Sequence, residues 1–535
     1  MNHEENGRVS ISRQSLASHT FITGSTGSGK SNTVYQILEE AKNSGIKFLV
    51  IEPAKGEYKS VFGVDEDVSV YGTNQELTPM LRINPFSFPK GIHILENLDR
   101  LVEIFNVCWP MYAAMPAVLK TAVEDAYTAC GWNLNTSKNK YGENIFPVFA
   151  DVAAKVKEVI DSSEYDNENK GAYKGALLTR LRSFTNGING MIFVQDDIKN
   201  IALYDKNVIV DMSRVGSSET KSLIMGMLVL KLQEHRMVGT NGMNEPLKHI
   251  TVLEEAHNLL KRTSMEQSSE GANLLGKSVE MLANAIAEMR TYGEGFVIVD
   301  QAPGLLDMST IRNTNTKMIM RLPDLTDREL AGKAANLNDD QIMELAKLPC
   351  GVAAVYQNEW IQPVLCKVHK CERTGQPYFY AVKDDDIYGE TDISAVKELL
   401  LDFIMNTEIL RKRYKKDIQK LKDVIMKSTR DTSIKIDFAE YITAEKDNEI
   451  AAFGKLMYDF FEAGKVIPLL GGCNNLSDWV YSVVNALTPS ILKYSKEQID
   501  LTIALILSEQ SVRDNTYKNV LLRYTEIYRD EGGVF

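Results

Sequence analysis

The chain has few cysteines, no excess of positive charge and no long apolar run. Its six cysteines are spread over 535 residues, which predicts reduced thiols rather than a disulfide framework. No apolar stretch approaches the ~18 residues of a membrane-spanning helix, and residues 1–6 lack the apolar core of a secretory signal. We therefore expect a cytoplasmic protein with no membrane partner. The formal net charge of −12 excludes indiscriminate attraction to nucleic acid, so any DNA contact must be local.

The composition is that of a globular protein with more than one domain. Apolar residues make up 44% and charged residues 25% of the chain, and 535 residues exceed the length over which one hydrophobic core usually grows. Short runs rich in Val, Ile and Phe alternate with helical stretches, which predicts an α/β fold with a mostly parallel central sheet. The predicted central strands are Phe48–Ile51, Val208–Val210, Ile250–Leu253, Phe296–Val299 and Met318–Met320, followed by a strand pair at 351–357 and 363–368.

Changes in this pattern predict three regions. Residues 1–90 and 190–375 form the α/β core, residues 91–189 a helical insertion and residues 376–535 a C-terminal helical region. Two apolar stripes in the last region indicate helices that pack into a core: Val396, Leu399, Leu400 and Phe403, and then Phe453, Leu456, Met457, Phe460 and Phe461. A basic cluster in the same region is either a solvated helix face or a contact with DNA or a partner. It consists of Arg411, Lys412, Arg413, Lys415, Lys416, Lys420 and Lys422.

A glycine-rich loop at 24–31 has the pattern G-x-x-x-x-G-K-S, and an apolar strand-like run precedes it. Such turns also serve as plain connectors, but here helical spacing follows, which gives the strand, loop and helix order of a phosphate-binding loop. Backbone N–H groups of the loop surround phosphate oxygens, and the helix N-terminus adds partial positive charge. The predicted nucleotide-binding residues are Gly24, Ser25, Thr26, Gly27, Ser28, Gly29, Lys30, Ser31 and Asn32.

Two of these side chains have predicted roles in holding ATP and Mg²⁺. Lys30 reaches the β- and γ-phosphates, and Ser31 places its hydroxyl on the Mg²⁺ ion. A phosphate loop also needs an apolar strand that ends in acids. The run 249–257 supplies it: Glu254 is expected near the hydration shell of the metal, and Glu255 is expected to orient the attacking water.

Three further residues are candidates for catalysis. Glu52 ends a predicted strand and is either a third acid of the site or a residue that initiates the turn at Pro53. Gln301 follows the predicted strand 296–299, where a strand-end amide could sense the γ-phosphate or hold the water. Arg290 precedes that strand; it is either a surface arginine or a group that a neighbouring subunit presents to the nucleotide.

Taken together, these motifs resemble the HerA family of FtsK/HerA-like ATPases. The resemblance covers about residues 8–370 and rests on Leu16–His19 before the loop, the turn Glu52–Tyr58, Ile83–Phe86, Glu254–His257 and Glu288–Gly293 with Asp300-Gln301. It implies a RecA-like motor that assembles as a homo-hexamer, hydrolyses ATP between subunits and translocates or unwinds double-stranded DNA through its pore. It also implies that Glu255 is the catalytic glutamate, that Gln301 occupies the Ser-Gln position and that Arg290 acts in trans.

The sequence departs from the family in three places, one of which is Thr291, where the family often has lysine. The family turn usually reads Asp-Pro-His-Gly-Glu-Tyr, whereas here Glu52 replaces the aspartate and Ala54-Lys55 replaces the histidine. Family members usually carry a small β-barrel before the core, and about 20 residues precede the loop here. The resemblance also implies an effector partner, either a nuclease or a sirtuin-like NADase.

Two alternatives to a DNA motor remain open at this point. One is a regulatory ATPase whose ring assembles and activates such an effector in anti-phage defence. The other is an ATPase of type IV secretion, which shares the Asn-Pro-Phe segment at 84–86.

Overall fold

The computed structural model describes residues 7–109, 111–142, 145–240, 242, 244–262, 271–381, 432–445, 448–467 and 495–530, with a few single positions between 422 and 482. The chain forms two compact units. The first unit consists of Met1–Glu124 with Val152–Asp386, and the second of Asp125–Asp151 with Ile387–Phe535. Across the described residues, no helix has the length and apolar composition needed to cross a bilayer. The three predicted regions stay a prediction.

A nine-stranded sheet with the order β11-β10-β9-β1-β8-β7-β2-β6-β3 forms the centre of the first unit. All of its pairs are parallel except β9 with β10 and β10 with β11. This confirms the predicted α/β class with a mostly parallel sheet. The strands are β1 (Thr20–Thr23), β2 (Lys47–Glu52), β3 (Val68–Gly72), β4 (Trp132–Asn133), β5 (Lys138–Asn139), β6 (Asn207–Asp211), β7 (His249–Leu253), β8 (Glu294–Asp300), β9 (Thr316–Ile319), β10 (Val352–Gln357) and β11 (Val364–Lys367).

Helices connect these strands, and several of them begin at a capping side chain. For example, the Ser217 hydroxyl accepts a hydrogen bond from the backbone N–H of Thr220 at the start of the longest described helix. The helices are α1 (Arg13–Ala17), α2 (Lys30–Asn43), α3 (Tyr58–Val61), α4 (Ile94–Cys108), α5 (Met115–Ala129), α6 (Phe149–Ser162), α7 (Asn167–Ser183), α8 (Gly187–Ile192), α9 (Asn200–Tyr204), α10 (Ser218–Gly239), α11 (Gly271–Glu288), α12 (Met308–Arg312), α13 (Leu325–Ala334) and α14 (Asp339–Glu344).

The register of the sheet brings four strand ends together. Thr23 of β1 pairs with Asp300 of β8, and Leu253 of β7 pairs with both Ile298 of β8 and Ile51 of β2. Strands β1, β6, β7 and β8 are buried along their whole length, because helices cover both faces of a parallel sheet. The residues that follow β1, β2, β7 and β8 therefore share one edge of the sheet, the carboxyl-terminal edge.

The second unit is helical, with the short hairpin β4–β5. The predicted stripe at Phe453, Leu456, Met457, Phe460 and Phe461 is buried in its apolar core. The stripe at 396–403 and the basic cluster at 411–420 lie outside the described residues, and only Lys422 of that cluster is described. Within the described part of this unit, the helices after residue 430 are Thr432–Thr443, Glu449–Phe460, Ala463–Val466, Lys496–Arg513 and Lys518–Asp530.

Candidate active site

The glycine-rich loop lies between β1 and α2 and is fixed by backbone hydrogen bonds. The Ser25 N–H donates to the Arg321 carbonyl (2.8 Å), and the Gly351 N–H donates to the Ser28 carbonyl (2.9 Å). Gly29 has φ +109°, and a Cβ at this position would lie 3.1 Å from the Gly351 nitrogen, so the close approach requires glycine. Residues near the ends of β9 and β10 thus hold the loop in shape.

Lys30 begins α2, and its ammonium lies over the loop. It donates to the carbonyl oxygens of Gly24 and Ser25. Burial lowers the pKa of Lys30, and the nearby carboxylates of Glu254 and Glu255 partly oppose that shift. The structure thus places the predicted lysine close enough to the two predicted acids for their charges to interact.

Asn32 has a different environment from the rest of the loop residues. Its amide nitrogen donates to the His369 carbonyl, and its amide oxygen accepts from the Cys371 N–H, both at 2.9 Å. These bonds attach the chain that follows β11 to the first turn of α2. The amide of Asn32 therefore binds protein backbone in this structure, a contact that its place in the loop pattern did not indicate.

Glu255 and Gln301 connect the acidic strand end to the loop. The Gln301 amide donates to Glu255 Oε1 (2.6 Å), and Gln301 Oε1 accepts from the Thr26 hydroxyl (3.0 Å). Glu255 itself lies in the left-handed region at φ +46°, a conformation that costs free energy for a residue with a side chain and that is concentrated at functional sites. Burial raises the pKa of Glu255, and Asp300 adds to that shift.

Glu254 contacts a tyrosine that the sequence analysis did not select. The Tyr58 hydroxyl donates to Glu254 Oε1, whereas no described residue donates to Glu254 Oε2. Burial raises the pKa of Glu254 to about 7, and the hydrogen bond from Tyr58 opposes the shift. Ser31 lies half-buried in the first turn of α2. A hydroxyl and a carboxylate oxygen are hard ligands that suit Mg²⁺, so these two donors fit that ion.

Glu52 ends β2 and is buried at 2% exposure. Its two oxygens accept the backbone N–H groups of Glu57 (2.7 Å) and Tyr58 (3.2 Å). Burial raises the pKa of Glu52 to about 8. The sequence left two roles open for Glu52, a third acid of the site or a residue that initiates the turn. These hydrogen bonds are those of the second role, because the carboxylate binds the turn that follows it.

A second pair that sequence reasoning missed is His257 with Asp300. Asp300 Oδ2 accepts from both the backbone N–H and Nδ1 of His257 at 2.9 Å, and Oδ1 accepts from the Ala302 N–H at 2.9 Å. The hydrogen bond to Asp300 raises the pKa of His257. Glu255 lies beside this pair, and the ligand atoms of the three residues are close enough to hold a metal. Because both Asp300 oxygens already accept hydrogen bonds from the protein, we assign no metal ion to these three residues.

Arg290 lies away from the other candidates. It sits in the short 3₁₀ turn Met289–Tyr292 immediately before β8 and is exposed. Asp300 and Gln301 lie at the opposite end of that strand. Arg290 is therefore at the amino-terminal edge of the sheet, and the site of its own chain forms without it.

The sheet, the loop that opens α2 and the acids that follow β7 define a P-loop ATPase with a RecA-like α/β core. The family model described as the central domain of helicase HerA matches residues 3–232. Residues 3–232 thus match the HerA family of FtsK/HerA-like ATPases, the family that the sequence motifs resemble.

Individual relatives are similar at low identity over most of the chain. A protein of Sulfurisphaera tokodaii, named DNA double-strand break repair helicase HerA, is 23% identical over 369 residues, 68% of this chain and 67% of that protein. The protein of the same name from Sulfolobus acidocaldarius is 23% identical over 376 residues, 69% of this chain and 68% of its own length. The solved structure of VirB4 from Thermoanaerobacter pseudethanolicus aligns with a TM-score of 0.49 at 16% identity, over 66% of this chain and 90% of that one.

Proposed function

We propose that this ATPase is a HerA-type motor that translocates or unwinds double-stranded DNA. In this proposal Lys30 binds the β- and γ-phosphates of ATP, and Ser31 and Glu254 hold Mg²⁺, which supplies charge neutralisation at the phosphates. Glu255 acts as the general base that orients and deprotonates the attacking water.

The observation that carries the proposal is the chain of hydrogen bonds from Thr26 through Gln301 to Glu255. These hydrogen bonds connect the glycine-rich loop to the carboxylate of Glu255. A γ-phosphate in the loop would compete for the Thr26 hydroxyl and for the Gln301 amide, so its arrival or departure would change the hydrogen bonding of Glu255. A site built this way couples the state of the nucleotide to the position of the base.

The DNA part of the proposal is supported by the relatives, two of which are named DNA double-strand break repair helicases. Because the net charge is −12, we propose that DNA contacts are confined to the pore of a homo-hexamer. Arg290 supports a ring, since it is exposed at the sheet edge opposite its own site and is available to the nucleotide of a neighbouring copy. We further propose a cytoplasmic location. We propose an effector partner, a nuclease or a sirtuin-like NADase, on the family resemblance alone.

The test is steady-state ATP hydrolysis by the purified chain, with its mass in solution, at increasing concentrations of linear double-stranded DNA. Glu255→Gln serves as the blank. We expect hydrolysis that rises with DNA in a species of six copies. Hydrolysis that is indifferent to DNA and comes from a smaller species would contradict the motor. In that case the regulatory ATPase that activates an effector becomes the better description.

A further inference from the structure

Tyr58 connects Glu52, which ends β2, to Glu254, which follows β7. Its backbone N–H binds Glu52, and its hydroxyl binds Glu254. We propose that Tyr58 is a positioning residue for Glu254 and that Glu52 acts through Tyr58 rather than on the nucleotide. The inference rests on the proposed function, because it concerns how the metal-binding acid is held.

The turn between Glu52 and Tyr58 has an unusual backbone conformation. Lys55 and Gly56 are both in the left-handed region at φ +68°, a conformation that an isolated lysine rarely adopts. The Glu52 carboxylate accepts from the N–H groups at both positions that end the turn, Glu57 and Tyr58. These bonds offset the cost of the turn and fix where the helix α3 begins.

The ring of Tyr58 is buried and packed between two elements of the site. Tyr58 is 2% exposed, and its ring packs edge-on against Tyr35 of α2 with centroids 5.1 Å apart. Since α2 is the helix that Lys30 begins, the ring lies between the phosphate-loop helix and the acidic strand end. A buried phenol needs a hydrogen-bond partner, and Glu254 is the acceptor that the Tyr58 hydroxyl has in the structure.

The hydroxyl of Tyr58 fixes the orientation of the Glu254 carboxylate. The bond from Tyr58 occupies Oε1, and no described residue donates to Oε2, which leaves that oxygen for the hydration shell of a metal. Without the hydroxyl, the Glu254 side chain has no hydrogen bond from a described residue and loses its fixed orientation. Preorganised ligands bind metal more tightly because the ordering cost has been met in advance.

The test compares Tyr58→Phe with Tyr35→Phe, which removes a hydroxyl from the neighbouring ring. The readout is the affinity for a fluorescent ATP analogue, measured by equilibrium titration with Mg²⁺ and again in EDTA. In Tyr58→Phe we expect the tightening caused by Mg²⁺ to fall about tenfold, since a hydrogen bond to a charged group is lost, while affinity in EDTA stays unchanged. Tyr35→Phe should match the wild type in both conditions.

A double-mutant cycle separates positioning from packing. In a Glu254→Gln background, Tyr58→Phe should change the Mg²⁺ effect by less than about twofold, because its target is already altered. An equal loss in both backgrounds, no loss in either, or a loss that follows a fall in melting temperature would overturn the inference. A wild-type chain that binds no nucleotide would instead overturn the proposed function, and the inference with it.

Discussion

At the carboxyl-terminal edge of the central sheet, the half-buried Glu254 and the buried Glu52 form no ion pair with a described residue, although Lys30 and Lys55 lie near Glu254. Burial raises the pKa values of Glu254 and Glu52 to about 7 and about 8. At the amino-terminal edge of the same sheet, Glu294 is fully buried, yet its pKa is lowered. Burial alone would raise that pKa, but His249 (2.8 Å) and Arg236 (2.9 Å) hold the carboxylate in its charged form.

The difference separates a reactive edge from a structural one. A buried carboxylate with bound cations has a stable charge and fixes the elements around it, here α10, β7 and β8. A buried carboxylate without them has an easily changed protonation state and is available to a ligand. The location of the perturbed acids therefore supports the assignment of the carboxyl-terminal edge to catalysis.

The largest effect is expected from Glu255→Gln at the reactive edge. The amide keeps the shape of the side chain but cannot accept a proton from water, so kcat should fall on the order of 10³-fold. Affinity for ATP should stay within about threefold of the wild type, because the loop and Lys30 are untouched. Single-turnover hydrolysis and equilibrium binding measure the two quantities. Retained turnover would show that another group is the base.

The next effect is expected from Arg236→Met at the structural edge. The change leaves Glu294 buried without its guanidinium partner and leaves the carbonyl of Tyr204 without its donor. Breaking a buried ion pair in this way should lower the free energy of unfolding by about 3–5 kcal/mol. Denaturant titration measures it, and the matched control is the exposed Arg312→Met, which should change stability by less than about 0.5 kcal/mol. Equal losses in the two variants would remove the distinction between the edges.

The sequence predicts the backbone arrangement of the site better than its side-chain contacts. The strand positions and the meeting of Lys30, Glu254, Glu255 and Gln301 were predictable, because carboxyl ends of parallel strands share one edge. The hydrogen bonds of Asn32 were not, since its partners lie more than 330 positions along the chain, at separations of 337 and 339 residues.

The environment of Glu52 shows the same limit at short range. Its position at the end of a strand was correctly predicted, but the direction of its carboxylate depends on the left-handed turn at Lys55 and Gly56. A lysine in that conformation carries no sequence signal. Tyr58 was visible in the turn motif, yet its contact with Glu254 becomes evident only when the register of β2 against β7 is known.

A smaller effect should follow from shortening the hydrogen-bond chain at the reactive edge. Gln301→Leu removes the amide that binds Glu255, and kcat should fall about tenfold to a hundredfold, the usual cost of one hydrogen bond to a charged group. Thr26→Val removes only the outer bond to Gln301 and should cost about threefold. Steady-state kinetics at saturating ATP measures both. A larger loss in Thr26→Val than in Gln301→Leu would contradict the proposed order of the chain.

The smallest effect is the opposite pH dependence of stability at the two edges. The lowered pKa of Glu294 means that its contribution to stability is fully present above its ordinary value of 4.5 and is lost as pH falls through the folded pKa. The pKa of Glu52 is raised to about 8, so the folded state binds more protons than the unfolded state between 4.5 and about 8, and stability declines as pH rises through that window.

Urea titrations at about pH 3.5, 5 and 8 measure these slopes in the wild type, Glu294→Gln and Glu52→Gln. Glu294→Gln should flatten only the acidic limb of the stability profile, and Glu52→Gln should flatten only the decline from about pH 5 to 8. The slopes are compared, not the absolute stabilities, because each substitution also removes hydrogen bonds. If both variants changed the same limb of the pH profile, Glu294 and Glu52 would not differ in charge state as their surroundings predict.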